Sequence, residues 1–301
     1  MIHAIITSYN EPKSTLKAAN IILKQLSKND KLIICDPFKE VHNLIKKNIK
    51  DERIIYFLDP GEGKSYALNW LFNKIYSENK EDIIILTDGD VYFSENAVNE
   101  IINAFKDKNI GVITGKPVSL NSRNTKYGFW SHVLFTAGAD RIRKKLSDQG
   151  KFFECSGYLF AIRNGVIKEF PLDTSEDSII PYLFYRNEYK IKYIPKAEVY
   201  VKNPDNWKDW INQRIRNIKA HENLNKFFPD LPRTKSLFNE IKEGAFVAIL
   251  QPKNIKEIIW TIELYFARLY VYLKAFYELR KEKTYEDGWR ETEIKSTRML
   301  D

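Results

Sequence analysis

One run of eight residues constrains this chain more than any other: Ile83-Ile84-Ile85-Leu86-Thr87-Asp88-Gly89-Asp90. Four apolar residues lead straight into Thr and then into two carboxylates flanking a glycine. A short, uninterrupted apolar run is the pattern of a strand buried on both faces, as in a parallel sheet. Asp88 and Asp90 then fall where strand gives way to loop, and Gly89 allows a sharp turn between them. Two carboxylates one residue apart can share a hard divalent cation and leave positions open for phosphate oxygens. Read in isolation, the same three residues are also an acidic turn that closes a strand.

The preceding residues repeat the theme. Ile2–Thr7 predicts a first strand, followed by the loop Ser8-Tyr9-Asn10-Glu11-Pro12. Ser14 or Thr15 is placed to cap a helix from Leu16. Leu32–Cys35 predicts a strand ending in Asp36, and Ile54–Leu58 a third ending in Asp59-Pro60-Gly61-Glu62-Gly63-Lys64. Helices are expected over Val41 to Lys50 and from Ser65. Strand and helix in alternation predict a mostly parallel sheet with crossover helices, an α/β fold of Rossmann-like type. Ligands of such sheets bind beyond the carboxyl ends of the strands, where this chain repeatedly places polar groups.

After residue 95 the pattern loosens. Val98, Ile101, Ile102 and Phe105 mark a helix, Gly111–Gly115 a short strand, and Ser156–Arg163 another strand. Ser175-Glu176-Asp177 precedes a helix over Ile179–Arg186. Lys190–Tyr193 and Val199–Val201 read as two short strands, and a helix with Trp207, Trp210, Gln213, Arg214 and Arg216 follows. Packing is the favoured role for the two tryptophans, and His132 and His221 stay open as ligands.

Composition narrows the partners. The net charge of +8, from 48 basic against 40 acidic residues, suits an anionic ligand or an anionic membrane surface and does not demand nucleic acid. The two cysteines are far apart and no Cys/His cluster has zinc spacing, so no disulfide framework is expected and a reducing compartment, the cytoplasm, fits. No signal peptide or membrane-spanning run is read.

In this order, the motifs over residues 2 to 222 resemble glycosyltransferase family 2, the inverting GT-A fold enzymes that use nucleotide-sugars. Thr7, Tyr9, Asn10 and Glu11 fall in a segment similar to the family's opening strand and loop. Asp36 stands where the family carries an aspartate for base and ribose. Gly63-Lys64-Ser65-Tyr66-Ala67-Leu68-Asn69 is similar to its Gly-Lys-x-x-Ala-Leu-Asn segment, and Asp88-Gly89-Asp90 to its metal-binding Asp-x-Asp. Glu176-Asp177 matches its Glu-Asp pair. Gln213-Arg214-Ile215-Arg216 is similar to the Gln-x-x-Arg-Trp element of processive members, with Asn217 in place of Trp.

The resemblance implies transfer from a UDP- or GDP-sugar to a hydroxyl of a glycan or lipid-linked acceptor. It implies Mn²⁺ or Mg²⁺ at Asp88 and Asp90, and Asp177 as the base. Glu176 is either its partner or a solvated neighbour. Lys64, Arg214 and Arg216 supply positive charge for a diphosphate. Ser156 and Gly157 either present backbone to the acceptor or make a bend. As rivals, a nucleotidyltransferase leaves Asp177 and the Gln213–Arg216 element without a role. A P-loop needs glycine at position 58, which is Leu58.

Residues 223–301 are read as a helical C-terminal extension to a catalytic domain over 1–222. Asn254 is placed to cap a helix running toward Lys283. Its apolar positions, from Ile255 and Ile258 through Phe266 to Phe276, follow i, i+3, i+4 spacing. Two readings stand: a helix packed on the catalytic domain or across a homodimer, and an interfacial helix at a membrane. Gly288 to Asp301 is expected to fray.

Overall fold

The apolar runs form β1 (Ile2–Thr7), β2 (Lys31–Asp36), β3 (Ile54–Leu58) and β4 (Ile83–Asp88). They pair in parallel in the order β3-β2-β1-β4, with Thr7 opposite both Cys35 and Asp88. The computed structural model describes all residues except 173–174, 230–235, 282–295, 299 and 301, together with the side chains at 223 and 225–227. The segment from Gly288 onward lies largely outside the described residues. Helices α1 (Pro12–Leu23), α2 (Lys39–Asn48) and α3 (Lys64–Ile75) make the crossovers. Side chains alternate across each strand, so Ile6, Ile34 and Ile85 pack with α1 and α2. Ile5, Ile33 and Ile84 pack with α3. Parallel pairing brings the four strand ends, and the groups they carry, to one edge. α1 begins at Pro12, whose fixed φ suits a first helical turn. Ser14 and Thr15 are therefore buried inside that helix, not capping it.

Beyond β4 the sheet is mixed. β5 (Val91–Phe93) is a short edge strand and α4 (Ala97–Ala104) follows it. β6 (Ile110–Ser119) is twice the expected length. β7 (Leu159–Arg163) runs antiparallel between β4 and β6, and β8 (Lys190–Val201) runs parallel to β6 and antiparallel to β5. β8 replaces two expected strands by one. A register shift between Gly115 and Lys116 absorbs residues 195–197 as an irregularity. The non-periodic stretch between β6 and β7 is helical: α5 (Lys126–Val133), a π-helical segment Leu134–Asp140, and α6 (Arg141–Asp148).

α7 (Glu176–Arg186) starts three residues earlier than its apolar spacing suggests, which places Glu176 and Asp177 in its first turn. α8 (Trp207–Phe227) is capped by the Asn206 side chain and continues past residue 222. Then come α9 (Leu237–Asn239), a π-helical turn Glu240–Ala245, α10 (Phe246–Ile249) and α11 (Ile255–Arg280). Asn254 accepts from the Glu257 amide at 3.0 Å, as its capping position predicts.

The inner face of α11 is Leu264, Ala267, Val271 and Ala275, which share a core with Trp130 of α5 and Trp210 of α8. Trp207 stacks on Trp210 at 5.9 Å, so both tryptophans pack. The regular apolar stripe does not face inward. Ile255, Ile258, Phe266 and Leu273 are 78%, 50%, 69% and 61% exposed. Small side chains, not the largest ones, let α11 approach α5 and α8. No helix among the described residues is long and apolar enough to cross a membrane.

Candidate active site

Lys64 is the first residue of α3 and follows Gly63, whose φ of 110° favours glycine. This start points the ammonium at the end of β4. Lys64 Nζ lies 2.7 Å from Asp88 Oδ1 and 2.5 Å from Glu176 Oε1. Burial alone would lower the Lys64 pKa, but Asp88 and then Glu176 outweigh it and hold the amine charged, above its ordinary range. Burial pushes the Glu176 carboxyl up, while Lys64 opposes that shift. Glu176 is 5% exposed, so it is a partner of Lys64 and not a solvated neighbour.

Thr7 Oγ1 donates to Asp88 Oδ1 at 3.1 Å, fixing that carboxylate from the β1 side. Gly89 has no positive φ, so the turn does not explain it. A Cβ there would stand 2.6 Å from Ser8 Cβ and from Thr15 Oγ1. Glycine is required by the close approach of α1 and the opening loop. Asp88 and Asp90 both line a cavity of about 360 Å³. They are hard oxygen donors suited to Mn²⁺ or Mg²⁺. No cluster of three His, Cys, Asp or Glu side chains with metal-binding geometry occurs among the described residues. Asp88 and Asp90 would be the two carboxylates available to a divalent ion here.

The same cavity is lined by Lys64, Glu176, Asp177, Ser156, Gly157, Gln213, Arg214 and Arg216. Ser156 and Gly157 lie in the loop before β7, where the Ser156 amide donates to Thr114 Oγ1 at 3.0 Å. A side chain at Gly157 would touch the Asp177 carboxylate, with its Cβ 3.6 Å from Oδ2. Gln213 Oε1 and the Nε and Nη2 of Arg214 are buried without a hydrogen-bond partner among the described residues. Burial, then the charge of Arg268, pulls the Arg214 guanidinium down to about 10, which leaves it charged at neutral pH.

The other expected residues sit outside this cavity, along the same sheet edge. Asp36 is fully buried. It accepts from Ser8 Oγ at 2.5 Å, from the Asn10 amide at 3.1 Å and from the Phe38 amide at 2.7 Å. It thus ties the loop after β1 to the end of β2. Asn10 has a φ of 54°, and Tyr9 stands edge-on to Phe38 at 5.1 Å. Glu11 is 4% exposed and lies 3.7 Å from Arg298.

Of the lining groups, Glu154, Glu240 and Arg268 carried no sequence signal, and His221 stood only as an open candidate ligand. Beside Asp177, Ser178 Oγ and Glu154 Oε2 lie 2.7 and 2.9 Å from His221 Nδ1. From the C-terminal helices, Arg268 donates to both oxygens of Glu240 at 2.7 and 2.6 Å, and the Tyr272 hydroxyl donates to Glu240 at 2.8 Å. Arg268 and Tyr272 are four residues apart on α11; Tyr272, expected in the apolar stripe, is 5% exposed and turns inward with Arg268. Their spacing was visible, but their direction was not.

This mixed sheet, with its strand-end carboxylates lining a cavity that carries both acidic and basic side chains, has the fold of GT-A glycosyltransferases. The family described as Glycosyltransferase like family 2 matches residues 2–220, and the chain belongs to it. It is 26% identical over 181 residues to a hyaluronan synthase of Streptococcus pyogenes, covering 55% of this chain and 41% of that protein. It is 23% identical over 277 residues to a poly-beta-1,6-N-acetyl-D-glucosamine synthase of Staphylococcus aureus, covering 89% of this chain and 63% of that one. The chain thus spans less than two thirds of either relative. A mannosyltransferase of Pyrobaculum calidifontis, solved with GDP-Man and Mn²⁺, superposes with a TM-score of 0.54 at 15% identity. That match covers 93% of this chain and 81% of the mannosyltransferase. The P-loop alternative falls: the Lys64 ammonium is clamped by two carboxylates and does not head a phosphate cradle.

Proposed function

We propose that the chain is an inverting glycosyltransferase that moves a sugar from a UDP- or GDP-sugar to a hydroxyl of a glycan or lipid-linked acceptor. The reading divides it into a catalytic domain over 1–222 and a helical extension over 223–301. It places the enzyme in the cytoplasm, in keeping with two buried free cysteines. The observation that carries the reading is the meeting of Asp177 with the Lys64, Asp88, Asp90 and Arg214 set in one cavity.

Inversion requires a base on the face of the sugar opposite the leaving diphosphate. Asp177 takes the acceptor proton as the acceptor oxygen bonds to the anomeric carbon and the bond to the diphosphate breaks. Gly157 leaves room for the acceptor against that carboxylate. Arg214 and Arg216 receive the departing diphosphate, for which planar guanidinium forks are suited. Glu176 holds Lys64 in place and keeps the cavity's charge organised around Asp88. Bound at Asp88 and Asp90, Mn²⁺ or Mg²⁺ offsets the charge that develops on the diphosphate. Tyr9 and Asn10 stand at the rim that meets the nucleoside, and Thr7, Glu11, Asp36 and Gly89 lie behind them as its support.

The test is Asp177→Asn with a screen of nucleotide-sugars in Mn²⁺. Donor affinity by calorimetry stays near wild type, while transfer falls by about 10²–10⁴. Normal transfer by this variant would show that the base is elsewhere. Cleavage of ATP or GTP in place of a nucleotide-sugar would refute the class.

A further inference from the structure

The stripe of α11 is a long apolar surface left uncovered on a helix that is already packed on its other side. Leu264, Ala267 and Val271 bind it to α5 and α8, and Phe266, Leu269 and Leu273 point the opposite way, 69%, 49% and 61% exposed. Along one border the Tyr265 hydroxyl donates to the Ala245 carbonyl, so α10 lies alongside. α10 adds Phe246 at 70% exposure and Leu250, just beyond its end, at 65%. Along the other border Lys256, Lys274 and Lys281 recur at whole-turn spacing. Exposed apolar patches of this extent mark interaction sites.

Charge identifies the occupant. Among the described residues, the carboxylates of this extension are engaged with the protein: Glu240 with Arg268, Glu243 with Lys145, Glu257 with Arg123, Glu263 with Lys126, and Glu278 with Lys219. The cations Lys242, Lys253, Lys256, Lys274 and Arg280 make no ion pair among the described residues. The surface is therefore apolar at its centre and positive at its border. A second copy laid antiparallel across it would bring the two lysine borders together. An anionic bilayer satisfies both features.

We propose that α11 lies in the plane of a membrane containing anionic lipid, with its stripe in the headgroup and acyl boundary and its lysines at the phosphates. The helix has 26 residues, about 39 Å at 1.5 Å per residue, and lies flat. Its inner face carries Arg268 and Tyr272 to the cavity wall, so the same helix touches both lipid and site. This inference stands on the surface alone and does not require the transfer chemistry.

Truncation would strip the core shared with α5 and α8, so point variants are the cleaner probe. The full chain is floated with vesicles of phosphatidylcholine alone or mixed with phosphatidylglycerol. Wild type floats with the mixed vesicles and more weakly with phosphatidylcholine. Phe266→Glu with Leu273→Glu lowers partition by at least about a hundredfold, since two side chains leave the apolar layer. Lys256→Gln with Lys274→Gln lowers partition to the anionic vesicles by about fivefold per lysine. Both variants keep the wild-type circular dichroism and donor affinity, because the altered side chains are remote from the cavity. Equal flotation of wild type and the glutamate variant overturns the proposal, as does absence of flotation by wild type. A dimer that the glutamates split, with no flotation, would assign the surface to a second copy instead.

Discussion

Replacing Lys64 with Met tests the organisation of the site most directly. The substitution keeps the approximate volume and removes one ammonium that lies 2.7 Å from Asp88 and 2.5 Å from Glu176. Taking one partner from a buried ion pair costs about 3–5 kcal/mol, because the remaining charge stays buried without compensation. With about 2.1 cal/mol/K of unfolding entropy per residue, 301 residues give ~0.63 kcal/mol/K, so the melting temperature falls by about 5–8 °C. The loss depends on pH. Without Lys64, burial and the neighbouring Asp177 push the Glu176 carboxyl further above its unfolded value of 4.5. Above 4.5 the folded variant then binds more protons than the unfolded chain, so its stability falls as pH rises through the folded pKa. The deficit against wild type is full at neutral pH and shrinks as pH drops toward 4.5. Scanning calorimetry of both proteins from pH 4.5 to 8 reads this difference. An unchanged melting temperature, or a deficit that does not vary with pH, would refute the clamp.

Three further outcomes follow from the same geometry. Asp90→Ala abolishes the Mn²⁺-dependent part of donor binding by calorimetry while moving the melting temperature little; it is a cleaner probe than Asp88→Ala, since Asp88 also holds Lys64 and Thr7. Gly89→Ala forces a Cβ to 2.6 Å from Ser8 and Thr15, and overpacking of this kind costs about 1–3 kcal/mol, read by urea unfolding. Arg268→Leu removes two charge-assisted hydrogen bonds to a half-buried Glu240 and costs about 1–3 kcal/mol by the same assay, whereas Arg268→Lys recovers part of it.

The half of the fold that was legible is the half whose strands are buried on both faces. β1 and β4 are near-continuous apolar runs with glycine or polar residues after them, and those runs admit few alternatives. β7 escaped as an antiparallel insertion because direction in a sheet is set by neighbours and leaves no mark in a five-residue apolar run. The stretch from α5 to α6 escaped because a π-helical segment interrupts it, and the spacing there departs from the 3.6-residue period. In the site, Lys64, Asp88, Glu176 and Asp177 were readable as motifs at strand or helix ends. Glu154, Glu240 and Arg268 were not, since they reach the cavity from distant segments through tertiary packing. α11 shows the sharpest divergence: periodicity located an apolar stripe, and the smaller residues beside it, Ala267 and Ala275, turned out to be the ones that pack.

The tryptophans gather where the catalytic body meets the last long helix. Trp130 donates its indole N–H to the Trp260 carbonyl at 2.7 Å and lies 5.0 Å from Trp210, while Trp207 stacks on Tyr270 of α11. Four of the chain's six tryptophans thus occupy one joint. Its intrinsic fluorescence is therefore weighted to that joint: emission shifts to the red when α11 lifts from the body, over a background from Trp70 beside β3. A ligand titration followed at this wavelength reads whether events in the cavity are felt at the outer helix, with no label attached.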